Sequence, residues 1–254
     1  MEERTLRILE FQRILKLLAN EASSSLGMEL AEKLRPTANP ELVKEWQEQT
    51  AEALAILWRE GEFPLGGISD VRETLKRAQL GASLEPAELL AVSDLARASR
   101  IMKKFLREKA KVLLPYAAQL AVFPELEAEI AKAIGPEGEV LDRASSKLAG
   151  LRVQIRTLQN RLRERLERMI HSEFSRYLQE PIVTIRQGRY VIPVKQEYKS
   201  HVTGLVHDQS ASGATLFIEP MAVVEIGNEL KQCIAEEKRE IERILAALSA
   251  RIAP

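Results

Sequence analysis

The amino-acid sequence predicts a mainly α-helical protein with one small β-rich module set between two long helices. Three observations carry this. Leu, Ala, Glu and Arg dominate the 254 residues and aromatics make up only 5%, a mix that favours helices over a β-sandwich. An apolar residue recurs every seven positions at Leu141, Leu148, Ile155, Leu162 and Met169, the mark of a coiled-coil seam. Pro181 to Pro220 is the only stretch that reads as strands. The expected architecture is a helical core domain over 1–140, an ascending lever helix over 141–180, a β-rich clamp or tip over 181–220 and a descending lever helix over 221–254. The lever helices are expected to pair antiparallel, in a coiled-coil-like way.

Residues 1–140 divide into short helices. Leu6, Leu9, Ile14, Leu17 and Leu18 give a first apolar stripe. Ser23 to Ser25 offer caps for a helix over Leu26–Leu34, which Pro36 ends. Asn39-Pro40-Glu41 couples a capping Asn to Pro at the first helical position. The helix it opens carries Leu42, Trp46, Ala53, Leu54 and Leu57 and stops near Gly61. Trp46 and Trp58 lie about 120° apart on an ideal helix, so one is expected in the core and the other as a contact or half-exposed. Ser69 is expected to cap Asp70–Leu80, which Gly81 ends. Pro86 opens a helix towards Lys111 with Leu89, Leu90, Val92, Leu95, Ala98, Met102, Phe105 and Leu106 inward. Pro115, Pro124 and the Gly135-Pro136-Glu137-Gly138 turn break the remaining chain up to residue 140 into short pieces.

Ala144, Leu151 and Leu158 fill the alternate positions of the first long seam. The seam breaks at Arg165, and the apolar line moves to Leu166, Ile170, Phe174 and Tyr177, a four-residue step that unwinds a supercoil locally. About 38 helical residues would span about 57 Å. Leu230, Ile234, Ile241, Ile244 and Leu248 form the second seam, with Glu237 in one of its positions and Cys233 beside it as a packing residue. Between the arms, Ile182, Thr184, Arg186, Tyr190, Ile192 and Val194 alternate around a Gln187-Gly188 turn or bulge. Val202–Val206 and Thr215–Ile218 are two further strands, joined by the polar loop from Asp208 to Gly213.

Several functions are excluded. One cysteine makes no internal disulfide, and three dispersed histidines make no metal cluster. The charged N-terminus lacks a signal-peptide core, and no apolar run of about 18 residues spans a membrane; the expected location is the cytoplasm. Neither Gly-rich phosphate-loop pattern is present, so no cofactor is expected in this chain. His207, Asp208 and Ser210 do not make a hydrolase triad, because strand neighbours point to opposite faces and the serine lacks its elbow. Asp208 and the serines are expected to satisfy the loop backbone.

Charge is more informative. The net charge is zero, so a nucleic-acid site has to be local. From Lys147 to Arg176 eight basic residues face three glutamates, an excess of five, whereas Met221 to Arg251 carries an excess of one acid. The two arms could pair across the stalk, or the arginines could follow a phosphate backbone. At the tip, cations and small polar groups of a kind that contacts phosphate come close in sequence. The candidate nucleic-acid-binding residues are Arg186, Arg189, Lys195, Lys199, His207, Ser210 and Ser212 on the tip, with Arg163, Arg168 and Arg176 on the arm.

The string TIRQGRYVIPVKQEYKSHVTGLVHDQSASGATLFIEP, its lead-in KLAGLRVQIRTLQNRLRERLERMI and its follow-on VVEIGNELKQCIAEEKREIERIL closely resemble the bacterial MutS-II proteins, MutS paralogues without the mismatch-reading domain. LEFQRILKLLANEASSSLGMELAEKLRP resembles their opening helices. The resemblance implies a helical core, lever helices and a clamp. It implies partners: branched DNA, in suppressing recombination, or ribosomal RNA of stalled, collided ribosomes. It also implies a homodimer formed through an ABC-type ATPase domain, often with a C-terminal Smr nuclease domain. The chain is expected to stop before both, so ATP, magnesium and nuclease chemistry attach to no residue here. An alternative expectation is a protein-interaction or mechanical module that relays ATPase motion without touching nucleic acid.

Overall fold

The computed structural model describes residues 3–172 and 174–253 and is mainly helical, with one four-stranded antiparallel sheet. It divides into two units. Met1–Leu141 with Leu245–Pro254 forms one, and Asp142–Ile244 the other.

The first unit contains α1 (Glu3–Ile8), α2 (Phe11–Asn20), α3 (Ser25–Glu32), α4 (Pro40–Glu60), α5 (Arg72–Gln79), α6 (Pro86–Lys109), α7 (Leu114–Gln119) and α8 (Pro124–Ala133). Local chemistry sets their ends. Ser24 Oγ accepts from Gly27 N at 3.1 Å and starts α3. Asn39 Oδ1 accepts from Glu41 N at 3.0 Å and Leu42 N at 3.4 Å, with Pro40 in the first turn, and starts α4. Gly61, at φ 86°, ends α4 where a side chain would be strained. Ser69 does not cap the next helix. Instead α5 begins at Arg72, whose N–H donates to the Asp70 carboxylate at 3.1 Å.

Packing in this unit differs from the sequence expectation in two places. Leu9, Ile14, Leu17 and Leu18 are exposed, and α2 buries Leu15 and Ala19. The reason is a left-handed turn at Glu10 that separates α1 from α2 and breaks the phase of the stripe. Neither tryptophan is in the core: Trp46 is 40% exposed and Trp58 80%. α4 buries Ile56 instead, against Leu106, Ala110 and Ala117. Residues 245–252 of the last helix belong to this unit, where Ser249 Oγ accepts from Leu84 N at 2.8 Å and Arg251 grips Glu129.

The second unit is built on α9 (Ser146–His171), the strands β1 (Thr184–Arg186), β2 (Arg189–Lys195), β3 (Gly204–Gln209) and β4 (Thr215–Pro220), and α10 (Met221–Ile252) up to Ile244. α9 buries Leu148, Leu151, Ile155, Leu158 and Leu162, then Leu166 and Ile170, while Arg165 is exposed. α10 runs antiparallel to it. Ser145 donates to Glu240 at 2.8 Å, Arg152 to Glu237 at 2.7 Å and Gln154 to Glu229 at 3.3 Å, so numbers rise on one side as they fall on the other.

The ascending helix is shorter than 141–180. It stops at His171, Phe174 N turns back to Met169 O, and a 3-10 turn covers Ser175–Tyr177. Leu178 then bridges to Val194, and Gln179 N donates to Pro193 O. The apolar line through Phe174 and Tyr177 therefore marks chain folding back onto the sheet, not a supercoil stutter. The second seam holds at Leu230, Ile244 and Leu248 but takes Cys233 in place of Ile234. Cys233 is buried and Ile234 is 46% exposed, because Val223, Leu230 and Cys233 share the core with α9. Burial pushes the Cys233 thiol up, helped by Glu229 and Glu236.

The sheet order is β1-β2-β4-β3, all antiparallel. Gln187 and Gly188 both have positive φ, the condition for a two-residue hairpin, and they set Arg186 opposite Arg189. Ile192, Val194, Leu216 and Ile218 pack one face against α9 and α10.

Candidate nucleic-acid interface

The register gives the tip cations a common origin. Arg186 pairs with Arg189, and Lys195 lies six residues along β2, so all three start from the same face of the sheet. Their side chains then part company.

Arg189 turns inward. Its guanidinium reaches Glu219 Oε1 at 3.4 Å and Asn228 Oδ1 at 2.8 Å. His207 Nε2 lies 2.7 Å from the other oxygen of Glu219. A β-bulge places His207 there: Val206 pairs with Ile218 and Asp208 with Phe217, leaving His207 as the extra residue. Glu219 is only 1% exposed, so its charge needs these two partners. Gly227 on α10 completes the fit, since a Cβ there would lie 2.5 Å from Glu219 Oε1. Arg189 and His207 are thereby spent on a buried carboxylate.

Arg186 is also engaged. It lies 4.3 Å from the Phe217 ring centroid and 3.4 Å from Asp208 Oδ2. Ser210 Oγ accepts from Thr215 N at 3.1 Å and meets Ser212 Oγ at 3.3 Å, so both serines serve the β3–β4 turn. His207, Asp208 and Ser210 each answer to a different partner, and no catalytic relay links them.

Three predicted cations come together elsewhere. Tyr177, Tyr198 and His201 form a ring cluster with centroids 5.3 Å, 4.9 Å and 5.8 Å apart. Arg176 sits 4.7 Å over Tyr177 and Lys195 Nζ 6.0 Å over Tyr198. Lys199 is exposed on the same 3-10 segment, Gln196–His201, that carries Tyr198 and His201. Tyr177 and Tyr198 rest partly on the core, which holds the rings in place. Two exposed cations and half-buried Lys195 around fixed aromatic rings offer both phosphate contact and a stacking surface for bases.

On α9, Arg163 and Arg168 are exposed but five residues apart, about 140° around the helix. They do not line one track. Arg161, Arg165 and Arg168 share one side and Arg156 and Arg163 another, within about 60° in each case. Across the helix pair the charges are satisfied where they are buried: the Arg243 guanidinium, with Ser145 next and Lys147 assisting, holds the Glu240 carboxyl down at about 2.

Tyr177, Tyr198, His201 and Glu219 were not among the sequence candidates. The segment Gln196-Glu197-Tyr198-Lys199-Ser200-His201 does alternate rings with cations, and Glu219 is a lone acid inside the apolar run Leu216–Pro220. Both signals were present; their partners are distant in sequence.

A four-stranded module between paired antiparallel helices, with a ring-and-cation patch on it, defines a helix-mounted β-module protein. No family model matches the chain, but its relatives are clear. The "Endonuclease MutS2" of Geobacillus sp. (strain WCH70) is 48% identical over 260 residues, and that of Symbiobacterium thermophilum 48% over 255. That of Geobacillus thermodenitrificans is 49% identical over 260 residues. Each match covers 100% of this chain and 32% or 33% of the relative. The chain matches bacterial MutS2 proteins along its whole length and spans about a third of the length of these relatives. Among the described residues, no helix is long and apolar enough to cross a membrane.

Proposed function

We propose that this chain is the nucleic-acid-gripping portion of a MutS2 protein, with the β-module as its clamp. The observation that carries it is the cluster of Tyr177, Tyr198 and His201 edged by Arg176, Lys195 and Lys199. The targets are branched DNA, in restraining recombination, or ribosomal RNA of stalled, collided ribosomes. On this reading, nuclease action, ATP with magnesium and homodimerisation are assigned outside the third of the relatives that this chain matches. The protein works in the cytoplasm.

Replacing Arg176, Lys195 and Lys199 together by Gln tests the proposal. The log–log salt slope for binding branched DNA or ribosomes should become shallower by about 2–3, one per lost phosphate contact. Unchanged affinity and slope would sink it. The mechanical alternative draws support from the α9–α10 pairing, which joins the helices through buried Glu240 as well as apolar contacts. Under that alternative the triple variant binds as the parent does.

A further inference from the structure

We infer a second polyanion site in the first unit, along α6, that takes the phosphate backbone of a nucleic-acid duplex. From Arg97 to Lys111 seven cations face one acid, Glu108, an excess of six in a chain of net charge zero. Four of the cations form a stripe. Arg97, Arg100, Lys104 and Arg107 follow i, i+3, i+7, i+10 spacing, within about 80° on the helix. All four are exposed, while Ala98 and Leu106, each about 140° from the centre of the stripe, are buried.

The stripe borders a recess of about 430 Å³ lined by Arg100, Lys103, Lys104, Arg107, Glu108 and Val122. The cations there are held or available in different ways. Glu127 clamps Arg100 through paired contacts of 3.0 and 2.8 Å. Lys103 Nζ donates to Leu120 O at 2.7 Å, which fixes it beside the recess. Arg97 touches Asp94 at 2.6 Å, and Lys104 reaches Glu108 only at 3.9 Å, both exposed pairs of small energetic weight. Among the described residues, no carboxylate lies within ion-pair distance of Arg107.

Apart from Arg100, which ties α6 to α8 through Glu127, the fold does not need these charges. Exposed like charges on one helix face repel, and removing them should cost the fold little. The spacing suits a phosphate strand. Arg97 to Arg107 covers about 15 Å of helix, and one strand of a duplex presents about four phosphates over that length at 3.4 Å each. The site is separate from the β-module: its residues lie wholly in the first unit, and it does not rest on the tip cluster.

The test uses the 254-residue chain and a variant with Arg97, Lys104 and Arg107 replaced by Gln. Binding to a DNA duplex and to an RNA duplex of equal length is titrated across a potassium chloride series. A second variant, with Lys16, Arg35 and Lys44 replaced by Gln, makes the same charge change elsewhere on the first unit. The α6 variant should lose about 2–3 from the log–log salt slope on at least one duplex, with an unchanged melting midpoint. Loss on both identifies the shared backbone, and loss on one identifies the source. An unchanged slope on both duplexes, or an equal loss in the control variant, overturns the site. Neutralising Arg176, Lys195 and Lys199 leaves the α6 contribution in place, so failure here and failure of the clamp are told apart.

Discussion

Two groups of cations lie on and beside one small β-module and end in opposite situations. Arg189 and His207 are drawn onto buried Glu219, whereas Arg176, Lys195 and Lys199 stay at the surface around Tyr177, Tyr198 and His201. Residue type does not distinguish them. The difference is one acid, thirty residues along the chain from Arg189, that has no access to water. A buried charge demands a partner before it can serve anything else, so the inward group holds the module together and the outward group is left to bind.

The sharpest way to break this contrast is Glu219→Ala. It leaves half-buried Arg189 with only Asn228 and half-buried His207 without its carboxylate, and a loss of about 1–3 kcal/mol or more is expected in denaturant unfolding of the second unit. Gly227→Ala is next in size. The added methyl presses on Glu219 and Arg189 together, and a cost of about 1–3 kcal/mol is expected from the same measurement. If either change alters binding while stability holds, the division between inward and outward groups is wrong.

A smaller effect separates the helix pair from the module. Glu240 is held at about 2 by Arg243, below its ordinary 4.5. Its contribution to stability is therefore complete above about pH 4.5 and is lost as pH falls through 2, since the unfolded chain takes up the proton first. The stability gap between the parent and Glu240→Gln should be widest above pH 4.5 and close on acidification. A gap that is constant with pH would show that the charge of Glu240 plays no part.

Much of the fold was legible because its signals are local. Asn39-Pro40 announces α4, Pro86 announces α6, the seven-residue repeat announces α9, and Gln187-Gly188 announces the first hairpin. What the chain concealed depends on distant partners. The end of α9 at His171 comes from Leu178 meeting Val194, and the single exchange in the second seam comes from α9 packing Cys233 where Ile234 was expected. The site was legible in composition but not in allocation. Arg189 and His207 read as surface cations until Glu219 is seen to claim them, and Arg163 and Arg168 read as one stripe until the helix sets them about 140° apart. The α6 stripe was legible in RASRIMKKFLREKAK but lay inside a region whose sequence reads as packing alone.

The most direct test of the central claim is the salt dependence of branched-DNA and ribosome binding by the Arg176, Lys195, Lys199 triple variant, measured beside the parent chain. A salt slope shallower by about 2–3 on the target, with the melting midpoint unchanged, is the expected result. A variant that binds both with the parent's affinity and slope would contradict it.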